Sequence, residues 1–474
     1  MATDGRRAAS SRRSPTRPPR CAAPPEHPPH PQSLSRRERF SSMRKFSTVS
    51  VVGLGYIGLP TAAVIASRGV KVIGVDVNAR AVSAINEGRA HFFEPELDAL
   101  VAGAVRSGNL RAVTAPEPAE AFIIAVPTPV AEDMAPDLSY IEAAARSIAP
   151  VLRPGDLVIL ESTSPVGTIE HVSALMAEAR PDLRFPGQHG ARQHGDAADV
   201  LMAYCPERIL PGRMITELVE NDRIIGGLSE AATDAAAALY GVFVRGELLR
   251  ADGRTAEMVK LVENASRDVS IAFANELSKV CDKFGLDVWR VIALANRHPR
   301  VNILNPGPGV GGHCIAVDPW FIVHAAGDLA PLMRTAREVN DSKPAYVAAQ
   351  VAARVRPGER IACLGLAYKA DTDDLRESPA IDVVEHLAAN GLGPLLAVEP
   401  NVETLPAKLS ALGVEKVDLE TALAQADLLL LLVDHREFRE LDRDLLAGRR
   451  IHDTRGAWRD IPAASARSGP RAVA

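Results

Sequence analysis

Residues 47–69 read STVSVVGLGYIGLPTAAVIASRG. The opening residues suit a buried strand, the closing ones are apolar at helical spacing, and glycines lie between. Gly53, Gly55 and Gly58 form a G-x-G-x-x-G at the junction. There the first glycine permits a tight turn, the second lets a pyrophosphate approach the backbone, and the third lets the helix pack on the strand. The helix N-terminus then faces the phosphates. KVIGVD at 71–76 is the next strand and ends on Asp76, 18 residues after Gly58. A carboxylate there accepts both ribose hydroxyls and repels a 2′-phosphate, which favours NAD over NADP. The plainer alternative is a glycine turn in a Rossmann-like domain without cofactor.

Working outward, AFIIAVPTP at 121–129 and DLVILEST at 156–163 are further buried strands, with helical patterns between them, as at 141–152. Alternating strand and helix signals predict a parallel, doubly wound α/β sheet. At 255–285 the pattern changes to about 30 residues of helical spacing without Pro or Gly, ending on Gly285 as a C-cap. Such a helix is about 45 Å long. It is too long for a sheet cover and suits a connector or a dimer core. After Pro344, RIACLGLAY at 360–368, LLAVEP at 395–400 and DLLLLLVD at 427–434 are strands again. The plan is two Rossmann-like α/β domains joined by a long central helix, with limits at 46–250, 251–343 and 344–464. The two α/β parts read as distant structural repeats with no visible sequence repeat.

Residues 1–45 stand apart, with eight prolines and a local charge of +8. A segment of that composition cannot bury enough surface to offset its ordering entropy, so we read it as a disordered tail, with Met43 the favoured true start. The whole chain of 474 residues carries −5, so the remainder carries −13. That acidic body argues against nonspecific nucleic-acid binding, which rests on neutralising phosphates. No apolar run approaches the roughly 20 residues of a membrane span. The five cysteines, Cys21, Cys205, Cys281, Cys314 and Cys363, show no C-x-x-C pair, so neither a disulfide framework nor a metal site is read. Reduced thiols in a cytoplasmic protein are expected.

GPGVGGHCIAVDP at 307–319 carries four glycines that press the backbone close to a neighbour and end on a cysteine, with Asp318 four residues on. Backbone N–H groups of such a loop can bind an oxyanion, and a thiol beside it suits covalent catalysis. The alternative is a glycine turn with a structural cysteine. Lys260 and Asn264 lie four apart on one face of the long helix, as site residues or as a solvated face. Thr163 and Glu207 follow apolar strands and could hold water, or serve as caps and ion pairs. Cys205 lacks a glycine cradle and ranks below Cys314. Lys369 and Arg376 sit in AYKADTDDLRESPA, a turn before a helix and a candidate anion site.

Taken together, these motifs resemble the nucleotide-sugar 6-dehydrogenases, the UDP-glucose/GDP-mannose dehydrogenase family, from about residue 47 to 458. AEMVKLVENASRDVSIAFANELS, ANRHPRVNILNPGPGVGGHCIAVDPWFI and RTAREVND resemble the branch acting on UDP-N-acetyl-D-mannosamine. The resemblance implies oxidation of a sugar 6-hydroxyl to a carboxylate with two NAD and one water, in polysaccharide biosynthesis. It implies Cys314 as nucleophile, Lys260 and Asn264 at the oxyanion, Asp318 handling protons, and Thr163 and Glu207 positioning water. Lys260 and nearby N–H groups are expected to lower the thiol's pKa. For the cofactor it implies Gly53, Gly55, Tyr56, Ile57, Gly58, Asp76, Thr128, Thr163 and Arg376. For the UDP-sugar substrate it implies Glu207, Arg208, Lys260, Asn264, Gly311, Gly312 and Lys369, with Arg300 reaching the partner subunit's substrate in a homodimer or higher oligomer. Animal-type UDP-glucose dehydrogenases carry a lysine where Val317 stands, which weighs against UDP-glucose. UDP-glucose or UDP-N-acetylglucosamine oxidation, and a non-catalytic nucleotide-binding regulator, are the competing readings.

Overall fold

The computed structural model describes residues 44–131, 133–187, 198–209 and 212–459. The reading of the tail therefore lies outside the described residues, apart from Arg44 and Lys45.

Eight strands form the first sheet: β1 Thr48–Val52, β2 Lys71–Val75, β3 Leu110–Val113, β4 Ala121–Ile124, β5 Leu157–Leu160, β6 Leu201–Tyr204, β7 Arg223–Gly227 and β8 Leu248–Asp252. Their order is β3-β2-β1-β4-β5-β6-β7-β8. The central strands β4 and β5 are buried along their whole length, as helices on both faces require. Strand order reverses between β1 and β4, which opens a crevice at their carboxyl ends. The expected all-parallel sheet needs one correction: β6 and β7 run antiparallel. The chain between them turns back through the short helix Met214–Glu220 and enters β7 at the end where it left β6, so no crossover is made.

The long helix runs Gly253–Phe284, held at its start by Asp252, which accepts from Thr255 N, and closed by Gly285 in the left-handed region. Its first turn does cover the sheet, contrary to the expectation from length. Ala256 belongs to the sheet's core, and a Cβ on Gly226 would come within 2.5 Å of Ala256 Cβ. Further along, Leu261 and Ala265 pack on Phe321, Ile322 and Val323 of helix Asp318–Ala326. Against helix Pro331–Asp341 the contact is polar and buried. Arg337 pairs with Asp268 at 2.6 Å, Asn340 Nδ2 donates to Asp268 Oδ1 at 2.8 Å, and Asn275 Nδ2 donates to Asn340 Oδ1 at 2.9 Å. Asn275 Oδ1 then accepts Gly307 N at 2.9 Å, which ties the ladder to the glycine loop. On the outer side Met258, Val262, Phe273, Val280 and Phe284 are exposed. At 100° per residue they fall within a stripe of about 80°.

The second sheet holds β9 Ile361–Leu364, β10 Leu395–Val398, β11 Glu415–Lys416, β12 Leu428–Leu431 and β13 Ile451–Asp453. Its order, β11-β10-β9-β12-β13, repeats that of the first five strands of the first sheet. The repeat reaches the turn. GLAYKA at 365–370 follows β9 as GLGYIG at 53–58 follows β1. Gly365 (φ +84°) donates to Val398 O at 2.9 Å, and Gly53 (φ +92°) to Val75 O at 2.8 Å. A sequence repeat therefore exists where none was read, disguised by alanines at the second and third glycine positions. Among the described residues no helix is long and apolar enough to cross a membrane.

Candidate active site

At the end of β1, a Cβ on Gly53 would lie 2.6 Å from Ala125 O, and one on Gly58 would lie 1.7 Å from Gly53 O. These two glycines are required by the turn itself. Gly55 differs: no atom lies within 4 Å of where its Cβ would be, so the backbone there is open to a ligand. The helix Gly58–Ser67 begins at this point with no side-chain cap. Asp76 Oδ2 accepts Leu54 N at 2.9 Å and its Oδ1 accepts Asn78 N at 2.8 Å, which fixes the carboxylate beside the turn. Across the crevice the Thr128 hydroxyl is buried without a hydrogen-bond partner. Open backbone, an uncapped helix N-terminus, a held carboxylate and an unpaired hydroxyl fit a dinucleotide. Tyr56 stacks on Phe92 at 4.4 Å, and the Arg376 guanidinium sits 5.2 Å over the Tyr56 ring. Arg376, held by Asp374 at 2.7 Å, thus reaches from the second α/β unit to the first glycine turn. Ile57 stands at the N-cap position of the helix.

The structure brings Cys314, Lys260, Asn264 and Asp318 together. Asp318 N donates to Cys314 O at 2.8 Å, so the thiol residue and the acid share one turn. Asn264 Nδ2 donates to Asp318 Oδ2 at 2.5 Å. Lys260, one turn earlier on the long helix, is buried and acts electrostatically on both Asp318 and Cys314. Burial pushes Asp318 up to about 6, opposed by Lys260 and by the Asn264 hydrogen bond. The thiol is corrected in direction. Desolvation by the surrounding chain, with the Asp318 carboxylate beside it, raises the Cys314 thiol above its ordinary value, and Lys260 offsets this only in part. Cys314 is nonetheless the exposed cysteine among the described ones; Cys205, Cys281 and Cys363 are buried, and burial pushes Cys205 and Cys363 up to about 12.

The close approach expected of this loop is present, and the neighbour is protein. A Cβ on Gly311 would lie 2.2 Å from Glu377 O, one on Gly309 2.7 Å from Pro379 Cβ, and one on Gly312 2.9 Å from Tyr368. The loop is pressed against the segment 368–379 of the second α/β unit. Gly312 N donates to Glu377 O at 3.3 Å and so points at protein.

Glu207, behind the thiol loop in sequence order, is buried in an ion pair with Arg223, which also pairs with Glu161. Tyr240 OH donates to Glu161 Oε1 at 2.6 Å and the Arg223 guanidinium lies 4.3 Å over the Tyr240 ring. Of the two readings of Glu207, the ion pair is present in this structure. Its Oε1 also accepts Arg208 N at 2.7 Å, while the Arg208 side chain pairs with Glu263 at 2.8 Å. Thr163 lies part-buried just after β5. Arg300 and Lys369 are exposed, and neither side chain is brought to the thiol cluster by this chain's own contacts. Sequence reasoning missed Arg223, Tyr240 and Glu257. Arg223 left one signal, a charge opening the apolar strand RIIGG; Glu257 left none, because its partners Gly167 N (2.6 Å) and Ile169 N (2.8 Å) lie far away in the chain.

Residues 47–244 match the NAD binding domain of the UDP-glucose/GDP-mannose dehydrogenase family, residues 254–342 its central domain and residues 362–460 its UDP binding domain. The chain is similar to an NDP-N-acetyl-D-galactosaminuronic acid dehydrogenase of Ralstonia nicotianae, with 60% identity over 87% of this chain and 96% of that one. It is similar to a UDP-N-acetyl-D-mannosamine dehydrogenase of Yersinia pestis, with 57% identity over 87% of this chain and 100% of that one. Among solved structures, a UDP-D-ManNAc dehydrogenase of Pyrococcus horikoshii matches with TM-score 0.77 and 38% identity, covering 88% of this chain and 97% of that one. The chain belongs to the UDP-glucose/GDP-mannose dehydrogenase family and is an NAD-dependent nucleotide-sugar dehydrogenase.

Proposed function

We propose that this member of the family oxidises the 6-hydroxyl of a UDP-N-acetylhexosamine, UDP-N-acetyl-D-mannosamine, to the carboxylate. The observation that carries the chemistry is the meeting of Cys314 with Lys260, Asn264 and Asp318 on one turn and one helix face. Gly53, Gly55, Gly58 and Asp76 would hold NAD, which when bound would supply the hydride acceptor for both oxidations, two being used per sugar. Asp318, ionised above about 6, takes the hydroxyl proton. Asp318 passes that first proton to solvent and then takes the Cys314 thiol proton as the sulfur adds to the aldehyde carbon, giving a thiohemiacetal whose oxyanion faces Lys260 and Asn264. Loss of the second hydride leaves a thioester on Cys314. Water, positioned from the Thr163 and Glu207 side, hydrolyses it to the carboxylate and frees the thiol. On this reading residues 46–250 hold NAD, 344–464 hold the UDP, and 251–343 build a homodimer in the cytoplasm through the exposed stripe of the long helix. Arg300, exposed in one chain, then acts across that contact.

The relative from Ralstonia nicotianae favours a second substrate of the N-acetylgalacto series. NADH formed per nucleotide sugar consumed, across UDP-N-acetylmannosamine, UDP-N-acetylgalactosamine, UDP-N-acetylglucosamine and UDP-glucose, tests both. Two NADH per sugar with the first is expected. Turnover with UDP-glucose alone, or none with any, overturns the reading. Sedimentation of a fully active monomer at assay concentration would remove the dimer.

A further inference from the structure

In the second α/β unit, the carboxylate that matches Asp76 is Glu399. Its Oε2 accepts Leu366 N at 2.6 Å and Ala367 N at 3.0 Å, and its Oε1 accepts Asn401 N at 3.1 Å. Leu366 and Asn401 stand where Leu54 and Asn78 stand around Asp76. Here, however, the carboxylate is fully buried and meets an imidazole: His435 Nε2 lies 3.0 Å from Glu399 Oε2. His435, completely buried just after β12, uses its other nitrogen too. Asp371 N is 2.9 Å and Asn401 Nδ2 is 3.0 Å from Nδ1. A backbone N–H can only donate, so Nδ1 accepts, and the ring proton sits on Nε2, donated to Glu399.

The Asp371 amide opens the segment that seats the thiol loop. Asp371 itself holds φ +62°, and its carboxylate accepts Arg436 N at 2.7 Å. Three residues on, Asp374 O accepts Tyr368 N at 3.1 Å, and Asp374 holds Arg376. Glu377 O, Pro379 and Tyr368 are the groups on which Gly309, Gly311 and Gly312 lie. A line of fixed contacts therefore runs from Glu399 through His435 to residues 371–379 and on to the backbone two residues before Cys314.

We propose that His435 is a positioning residue for the thiol, acting through its Nδ1 contact with the Asp371 amide. The proposal rests on the reading of Cys314 as nucleophile. It is tested in the full-length enzyme with two variants that each keep one half of the imidazole. His435→Asn places an acceptor near the Nδ1 position, and His435→Gln reaches toward Glu399 instead. His435→Asn is expected to keep kcat within about threefold, while His435→Gln loses about tenfold or more, with KM for NAD unchanged in both. The rate of iodoacetamide labelling of the Cys314 peptide, read by mass spectrometry, should change in His435→Gln and stay near wild type in His435→Asn. Equal kcat and equal labelling in both variants, or losses that only follow their melting temperatures, overturn the proposal. Should neither variant fold, the exposed Asn401→Ala removes one Nδ1 donor, and a kcat loss of about two- to threefold at constant KM for NAD is expected. An unchanged kcat in Asn401→Ala then overturns it. If the wild type turns over no nucleotide sugar, the functional reading fails separately, and the labelling pattern still judges the positioning.

Discussion

Asp76 and Glu399 end equivalent strands, bond equivalent backbone amides and differ in what else they meet. Asp76 stays part-exposed beside a glycine with open space above it, whereas Glu399 is buried under His435 beside Ala367. The same backbone device thus serves two purposes. Where glycines keep the approach clear the turn is left open to a ligand, and where alanines and an imidazole fill it the turn is packed against protein. The two tyrosines of the turns, Tyr56 and Tyr368, then face the same region from opposite units, one under Arg376 and one under Gly312.

The comparison is broken most severely at the cysteine of the thiol loop. Cys314→Ser should still bind the nucleotide sugar and lose steady-state NADH formation by about three orders of magnitude or more, because a hydroxyl adduct resists collapse and hydrolysis. Retention of a tenth of the wild-type rate, a barrier change of about 1.4 kcal/mol, would end covalent catalysis at this position. Next comes conversion of the open turn into the filled one. Gly55→Ala meets no protein atom, so stability should hold while KM for NAD rises about tenfold or more. The reciprocal Ala367→Gly should leave KM for NAD within about twofold; a comparable rise there would erase the distinction between the turns.

Cofactor choice sharpens the same contrast. The unmodified enzyme should favour NAD over NADP by about a hundredfold in kcat/KM, through Asp76, and Glu399→Gln should not move that ratio. Equal use of both cofactors would contradict the role of Asp76. The smallest effect is in pH. With Asp318 at about 6, kcat/KM should fall as pH drops through 6, because the base becomes protonated. For stability the sign is opposite. A carboxyl whose pKa is higher in the folded state binds more protons folded than unfolded, so its contribution improves as pH falls from 7 toward 4. Melting temperatures of wild type and Asp318→Asn at pH 5 and pH 7 should therefore diverge with pH; parallel curves would deny the raised pKa.

The alternation of strand and helix made the central strands of both sheets, the long helix and its glycine cap legible in the chain, because burial on both faces and helical spacing leave a periodic trace; the strands β3, β6, β7, β8, β11 and β13 were not read. Cys314 and Asp318 were legible as neighbours on one turn. Their meeting with Asn264 was not readable from spacing, since the contact joins residues far apart. The glycines of 307–312 were correctly read as a close approach, but its neighbour could not be named: a sequence shows that Cβ atoms are excluded and not what excludes them. GLAYKA escaped notice because the glycines that announce such a turn are the residues a filled turn no longer needs. Arg223 and Glu257 were hidden for a further reason, that a buried charge is explained by its partner, and each partner lies on another element.

Glu257, finally, decides where a negatively charged guest can land. The amides of Gly167 and Ile169 open the helix Thr168–Ala179, the sort of helix mouth that attracts phosphate, and the Glu257 carboxylate already occupies them. The helix Gly58–Ser67, with no acidic residue in its first turn and no side-chain cap, has no such stopper. By corking that mouth from within, the long helix removes one rival seat, so on the reading proposed above a pyrophosphate would meet the uncapped mouth at the glycine turn without competition from the helix Thr168–Ala179.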